Sequence, residues 1–154
     1  MYLDIFSKRL QELMELEGYS IRALSKIIGG DRKSIRLWLR GRYHPKCEYL
    51  IKLSYCFKVR IDYLLGIEDV MGETDSCKDI EHIDIKEVQR RFSETLSAYM
   101  TCNNITRYKM AKKLNMDAKS MTKWLTNGSM PEAGKLIKLS QVMGVSIHKL
   151  LGLE

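Results

Sequence analysis

Four cysteines occur in the 154 residues, at Cys47, Cys56, Cys77 and Cys102, and no two of them form a C-x-x-C pair. Their spacing fits no zinc site, so they read as free thiols of a reducing cytosol. Only three histidines are present, His44, His82 and His148, each isolated, and H-E-x-x-H is absent. A phosphate loop and a nucleophile elbow are missing too: Gly29-Gly30 is not directly followed by the Lys-Ser/Thr that a phosphate loop needs. Neither enzyme chemistry nor a bound cofactor or metal is expected. No apolar run approaches the roughly 18 residues of a membrane span. The start, MYLDIFSKRL, lacks the basic start and following apolar run of a signal peptide. The expectation is a cytoplasmic protein with no membrane partner. No alternating pattern of strand length occurs either, which leaves an all-α chain.

What the sequence does have is positive charge and repetition. Lys plus Arg number 26 against 19 acids, a net charge of +7. Such an excess favours a polyanionic partner, nucleic acid above all. Residues 31–39 read DRKSIRLWL, and residues 117–125 read DAKSMTKWL. Displacing the sequence by 86 positions extends that match, without a gap, from Phe6 to Glu68, with 22 of 63 positions identical. Phe6 falls on Phe92, Leu10 on Leu96, Trp38 on Trp124 and Pro45 on Pro131. A duplicated domain explains this, and two copies are too few for a solenoid. The expected organisation is a domain over 1–70, an acidic linker over 71–85 and a second domain over 86–154. The linker holds five acids and one lysine, whereas residues 1–70 carry +4 and residues 86–154 carry +7. The positive charge therefore belongs to the two repeats.

Each repeat reads as five short helices. In the first, Phe6, Leu10, Leu13, Met14 and Glu17 mark an opening helix with one apolar stripe, ended by Gly18. Ser20 is suited to cap a second helix that buries Leu24, Ile27 and Ile28. Gly29-Gly30 breaks the chain, and Asp31 caps a third helix whose Ile35, Trp38 and Leu39 have the spacing of a buried stripe. That spacing makes Trp38 and Trp124 core residues and not base-stacking platforms. Gly41 stops the third helix, and Pro45 is pre-set to open a fourth, buried through Leu50, Leu53 and Phe57. Ile61, Leu64 and Leu65 form a short fifth helix closed by Gly66. In the second repeat Asp84 and Glu87 resemble a capping box, Thr106 and Asp117 are N-caps, Pro131 opens the fourth helix, and Asn115 stands in the turn where the first repeat has Gly29.

The unburied side of the third helix is cationic. Arg32, Lys33, Arg36 and Arg40 lie on it with Leu37, and Arg42 and Tyr43 follow, while Arg22 stands near the start of the second helix. Five cations from Arg32 to Arg42 with no acid among them exceed what solvation of a helix face requires. Two helices joined by a tight turn, the second with a cationic outer face, have the design of helix-turn-helix DNA readers. Side chains at the start of the second member reach base edges, and cations at its margins meet phosphates. Leu37 suits either a thymine methyl or a neighbouring domain. The second repeat offers Ala118, Lys119, Ser120, Thr122 and Lys123, then Asn127, with Arg107, Tyr108, Lys109, Lys112 and Lys113 on the preceding helix. Its reading face is smaller and its flanks richer in lysine.

These stretches resemble the phage-repressor/Cro-like, XRE-type helix-turn-helix family. The match is carried by GYSIRALSKIIGGDRKSIRLWLRGRYHP and LIKLSYCFKVRIDYLLG in the first repeat. In the second it is carried by ITRYKMAKKLNMDAKSMTKWLTNGSMP and LIKLSQVMGVSIHKLLG, and together these cover about five-sixths of the chain. The resemblance implies two tandem five-helix lambda-repressor-like DNA-binding domains. It implies base contacts from Arg32, Lys33, Arg36 and Leu37, and from Ala118, Lys119, Thr122 and Lys123. Many members carry Gln just after the cap of the second helix, where it bonds a phosphate. Here that place is held by Ile21 and by Arg107, of which only Arg107 can bond phosphate. The function implied is a transcriptional regulator of bacterial or phage type that binds double-stranded DNA. A repressor is favoured because the residues leave no room for a sensor domain. One chain would act as an intramolecular pseudo-dimer on unlike half-sites, or two chains as a homodimer. The competing reading is a protein-interaction module, antitoxin-like or inhibitory, in which one repeat binds a protein partner.

Overall fold

A computed structural model describes residues 2–69, 83–126 and 128–153. Among them there are helices and no strand. They fall into two compact units, one ending at Ile83 and the other beginning at Asp84. The first contains α1 (Tyr2–Glu17), α2 (Ile21–Ile28), α3 (Arg32–Leu39), α4 (Cys47–Phe57) and α5 (Ile61–Leu64). The second contains α6 (Ile85–Cys102), α7 (Arg107–Lys113), α8 (Ala118–Leu125), α9 (Ala133–Met143) and α10 (Ile147–Leu150). Adding 86 to the bounds of α3, α4 and α5 gives those of α8, α9 and α10 residue for residue. Of the expected linker, residues 71–82 lie outside the described residues. Its last two residues belong to the second unit, with Asp84 as the N-cap of α6.

Local chemistry sets most helix ends. The Ser20 hydroxyl accepts from the Ala23 N–H at 3.1 Å, and the Thr106 hydroxyl from the Lys109 N–H at 3.2 Å. The Asp31 carboxylate takes the Ser34 N–H at 2.6 Å, and Asp117 takes that of Ser120 at 2.7 Å. Each bond satisfies a donor that the first helical turn leaves open. At α6 only half of the capping box forms. Asp84 accepts from the N–H groups of Lys86 and Glu87, whereas the Glu87 carboxylate is held by Arg90 and Arg91. These guanidiniums, Arg90 first, hold the Glu87 carboxyl down at about 2.

Three other expectations need correction. Ile27 is exposed: α2 has barely two turns, and its inward stripe is only Leu24 and Ile28. Pro45 does not open α4, because Lys46 is the N-cap and helical geometry begins at Cys47. Glu132 likewise caps α9 after Pro131. Both prolines are buried just ahead of the caps, so the rings pack and the helices begin two residues later. Leu39 is half-buried, leaving Ile35 and Trp38 as the fully inward residues of α3.

The two cores repeat one another. Phe6, Leu10, Leu24, Ile35, Leu50 and Leu64 are fully buried in the first, and Phe92, Leu96, Met110, Met121, Leu136 and Leu150 in the second. Burial of each such side chain stabilises by about 1.5–3 kcal/mol. The polar members of the core repeat as well. The Ser54 hydroxyl donates to the Val59 carbonyl at 2.6 Å, and Ser140 to that of Val145 at 2.6 Å, closing the turn into the short last helix. Ser7 donates to the Leu39 carbonyl and Ser93 to the Trp124 carbonyl. These bonds tie the opening helix of each unit to the far end of α3 or α8. Gly66 and Gly152 follow the caps of α5 and α10 with φ of 85° and 69°. A Cβ at Gly66 would stand 2.8 Å from Ile5 Cγ2, and one at Gly152 would stand 2.6 Å from Arg91 Cδ. Positive φ and close approach together require glycine there.

The support beneath the turn that leads into α3 and α8 differs between the units. At Gly30 an added Cβ would lie 3.4 Å from the Tyr49 ring, which itself packs on Trp38 with centroids 5.7 Å apart. In the second unit these positions are Met116 and Lys135, and Lys135 Nζ donates to the carbonyls of Leu114 (2.7 Å) and Asn115 (3.3 Å).

Candidate nucleic-acid interface

In the first unit α3 packs on α1 and α2, and its remaining side faces solvent. Asp31 fixes the start. Its carboxyl lies below the usual carboxylate range, chiefly because the Ser34 backbone N–H bonds the charged form. At the far end the Gly41 N–H bonds the Trp38 carbonyl (3.1 Å) and the Arg42 N–H bonds that of Leu37 (3.0 Å). This paired closure, with Gly41 at φ 69°, satisfies the last carbonyls and turns the chain sharply. Arg42 and Tyr43 therefore follow directly on the end of α3.

Arg22, Arg32, Lys33, Arg36, Arg40, Arg42 and Tyr43 are all exposed, Tyr43 by 62%. Leu37 is half-buried and lines a shallow hollow with Trp38, Tyr43, His44 and Tyr49. Its side chain is thus partly absorbed by its own unit. From residue 21 to residue 43 there are seven Lys or Arg and one acid, Asp31. Among the described residues none of the seven forms a salt bridge. The ion pairs fall elsewhere, such as Lys52–Glu48 at 3.1 Å and Arg60–Glu68 at 3.1 Å.

The second unit presents a different surface from the same scaffold. Tyr108 is 68% exposed, and Arg107, Lys109, Lys112, Lys113, Lys119 and Lys123 are exposed around it. Ala118 and Thr122 are half-buried, one turn apart on α8. The Thr122 hydroxyl donates to the Ala118 carbonyl at 2.9 Å and accepts from Arg107 Nη1 at 3.1 Å. The Arg107 guanidinium also lies 5.4 Å from the Tyr108 ring centroid. Arg107 is thereby anchored to the outer face of α8, while Ile21, its counterpart in the first unit, has no group to make such a bond. The expected contact Asn127 lies outside the described residues. The Asp117 carboxyl, like that of Asp31, is held below its usual range by the cap bond from Ser120.

Sequence reasoning placed the cations on the unburied side of α3 and α8, but it missed the Arg107–Thr122 bond and the support from Lys135. Cys47, Cys56 and Cys102 are free thiols, and burial pushes Cys47 up to about 12 and Cys56 to about 11, where a thiol is inert. Among the described residues no group of His, Cys, Asp and Glu could hold a metal ion, and no helix is long and apolar enough to cross a membrane. Comparison with protein-family models, with curated proteins and with solved structures finds no match for this chain.

Proposed function

We propose that the protein is a sequence-specific, double-stranded-DNA-binding transcriptional regulator of the phage-repressor kind, made of two tandem five-helix lambda-repressor-like domains. In this reading α3 and α8 enter successive major-groove segments. Arg32, Lys33 and Arg36 meet base edges from α3, and Ala118, Lys119, Thr122 and Lys123 do so from α8. Arg22, Arg40, Arg42, Arg107 and the α7 lysines meet phosphates, with Tyr43 and Tyr108 beside them. The observation that carries the reading is a pair of α-turn-α units whose outer faces hold seven and six cations against one acid each, none of these cations paired in a salt bridge among the described residues. Unpaired cations on a rigid, capped helix pair are what a phosphate backbone requires, because each neutralised phosphate releases condensed counterions.

The outward positions of α3 and α8 differ at Arg32/Ala118, Arg36/Thr122 and Leu37/Lys123, so the two units read unlike half-sites, one chain serving as an intramolecular pseudo-dimer. Titration of duplex binding against salt tests the reading. A protein with six to ten phosphate contacts loses about 10³–10⁵ in affinity between 50 and 200 mM salt. Absence of any binding at low salt overturns it in favour of a protein partner for these faces. Two chains bound to one perfect palindrome overturn the pseudo-dimer.

A further inference from the structure

Resting on that reading, we propose that α8 recognises thymine through its C5 methyl group, with the methyls of Ala118 and Thr122 as the recognising surface and Arg107 as a clamp that Thr122 positions. The inference starts from the capacity of one hydroxyl. A threonine oxygen carries one proton and two lone pairs. The proton of Thr122 is committed to the Ala118 carbonyl at 2.9 Å, and one lone pair is taken by Arg107 Nη1 at 3.1 Å. Nothing remains to donate to guanine O6 or N7, or to thymine O4. One acceptor lone pair and the γ-methyl are left.

Ala118 lies four residues earlier, and α8 repeats every 5.4 Å, so the two methyl-bearing side chains share one face at a spacing of one to two base-pair steps. Both are half-buried and are flanked by the exposed Lys119 and Lys123. An apolar pair of this size finds one complement in the major groove, since only thymine presents a methyl there. The corresponding residues of α3 are Arg32 and Arg36, which have no such methyl. Asymmetry between the half-sites therefore has a chemical content, which is thymine contact under α8 and hydrogen-bond readout under α3.

Deoxyuridine differs from thymidine by that methyl alone. A duplex enriched by the full-length protein from a randomised pool at low salt is resynthesised with deoxyuridine replacing one thymidine at a time, and affinities are measured by fluorescence anisotropy. Loss of one buried methyl corresponds to a drop of about fourfold. The expected result is one or two thymines in a single half-site where uracil costs about that factor. T122S keeps the hydroxyl and its two bonds but removes the methyl, and it should abolish the uracil penalty at one of those thymines. Equal affinity for every uracil duplex, or a T122S protein with every penalty intact, overturns the proposal while leaving DNA binding in place. Failure to enrich any duplex overturns the DNA reading, and this inference with it.

Discussion

Replacing Arg36 and the pair Arg40/Arg42 by alanine separates reading from clamping. All three side chains are exposed, and none makes a salt bridge among the described residues, so each substitution should leave stability within about 0.5 kcal/mol. Arg36 lies on the second turn of α3. Arg40 and Arg42 lie at its far end, where the chain turns away at Gly41. On the proposed docking Arg36 meets a base, and the other two meet phosphates. Arg36→Ala then removes about 1–3 kcal/mol of discrimination, roughly 5- to 150-fold, between the selected duplex and a scrambled one. Arg40→Ala with Arg42→Ala removes two phosphate contacts, each worth about 0.9 in the slope of log affinity against log salt. Across a fourfold rise in salt, from 50 to 200 mM, each contact accounts for a factor of about 3.5, and the pair for about twelve. The double variant should bind both duplexes more weakly, keep its discrimination, and lose about twelvefold less affinity than the native protein over that range. Anisotropy titrations at four or five salt concentrations on both duplexes supply all the numbers. An Arg36→Ala protein with native discrimination, or a double variant with a native salt slope, would refute the assignment of roles along α3.

Two stability predictions concern the interior and the backbone. Trp38 is 5% exposed and packs on Tyr49, so Trp38→Ala should destabilise the first unit by about 3–5 kcal/mol, read by urea unfolding followed by circular dichroism, with the Trp124 fluorescence of the second unit as the unchanged reference. Lys58 ends α4 at φ 54°, where the second unit has Gly144 at φ 66° with no atom within 4 Å of the place a Cβ would take. Lys58→Gly should therefore raise stability by about 0.5–1 kcal/mol and Gly144→Ala should lower it by a similar amount, since a left-handed residue with a Cβ is strained by more than glycine loses in entropy. Thermal melts that move in the opposite directions would contradict the backbone argument.

Much of the fold was legible because its signals are local. Ser20, Asp31, Thr106 and Asp117 bond N–H groups three residues on, a relation that depends only on the helix beginning there. Burial of Trp38 and Trp124 followed from i, i+3 spacing. Ile27 misled because a two-turn helix has too few residues for its periodicity to distinguish its centre line from its edge. Pro45 and Pro131 misled because a proline suited to the first helical position is equally suited to the extended residue before a cap. The Lys58 turn was hidden by its own residue type, although Gly144, 86 positions on, was a signal. Arg107 and Thr122 are 15 residues apart and meet only once the turn between α7 and α8 is set, so no spacing rule announces their bond.

The gapless displacement of 86 makes the outer helices interchangeable in a way that most paired domains do not allow. Residues 118–125 can be transplanted onto 32–39 with the same length, the same aspartate cap before them and the same tryptophan beneath, and they should carry their surface with them. The transplant has a boundary, set at the turn. At Gly30 an added Cβ would stand in ordinary contact with the Tyr49 ring, 3.4 Å away, so a methyl fits there and a longer side chain must be fitted around the ring, whereas the second unit has Met116 and, in place of the tyrosine, Lys135, whose Nζ donates to the Leu114 carbonyl. A graft that begins at Asp117 crosses between the units freely. One that begins a residue earlier sets a methionine side chain beside the Tyr49 ring, and moving residue 135 to position 49 with it restores the pairing of the second unit. The smallest portable piece of this protein is therefore a helix with its cap, and the next larger one is discontinuous in sequence.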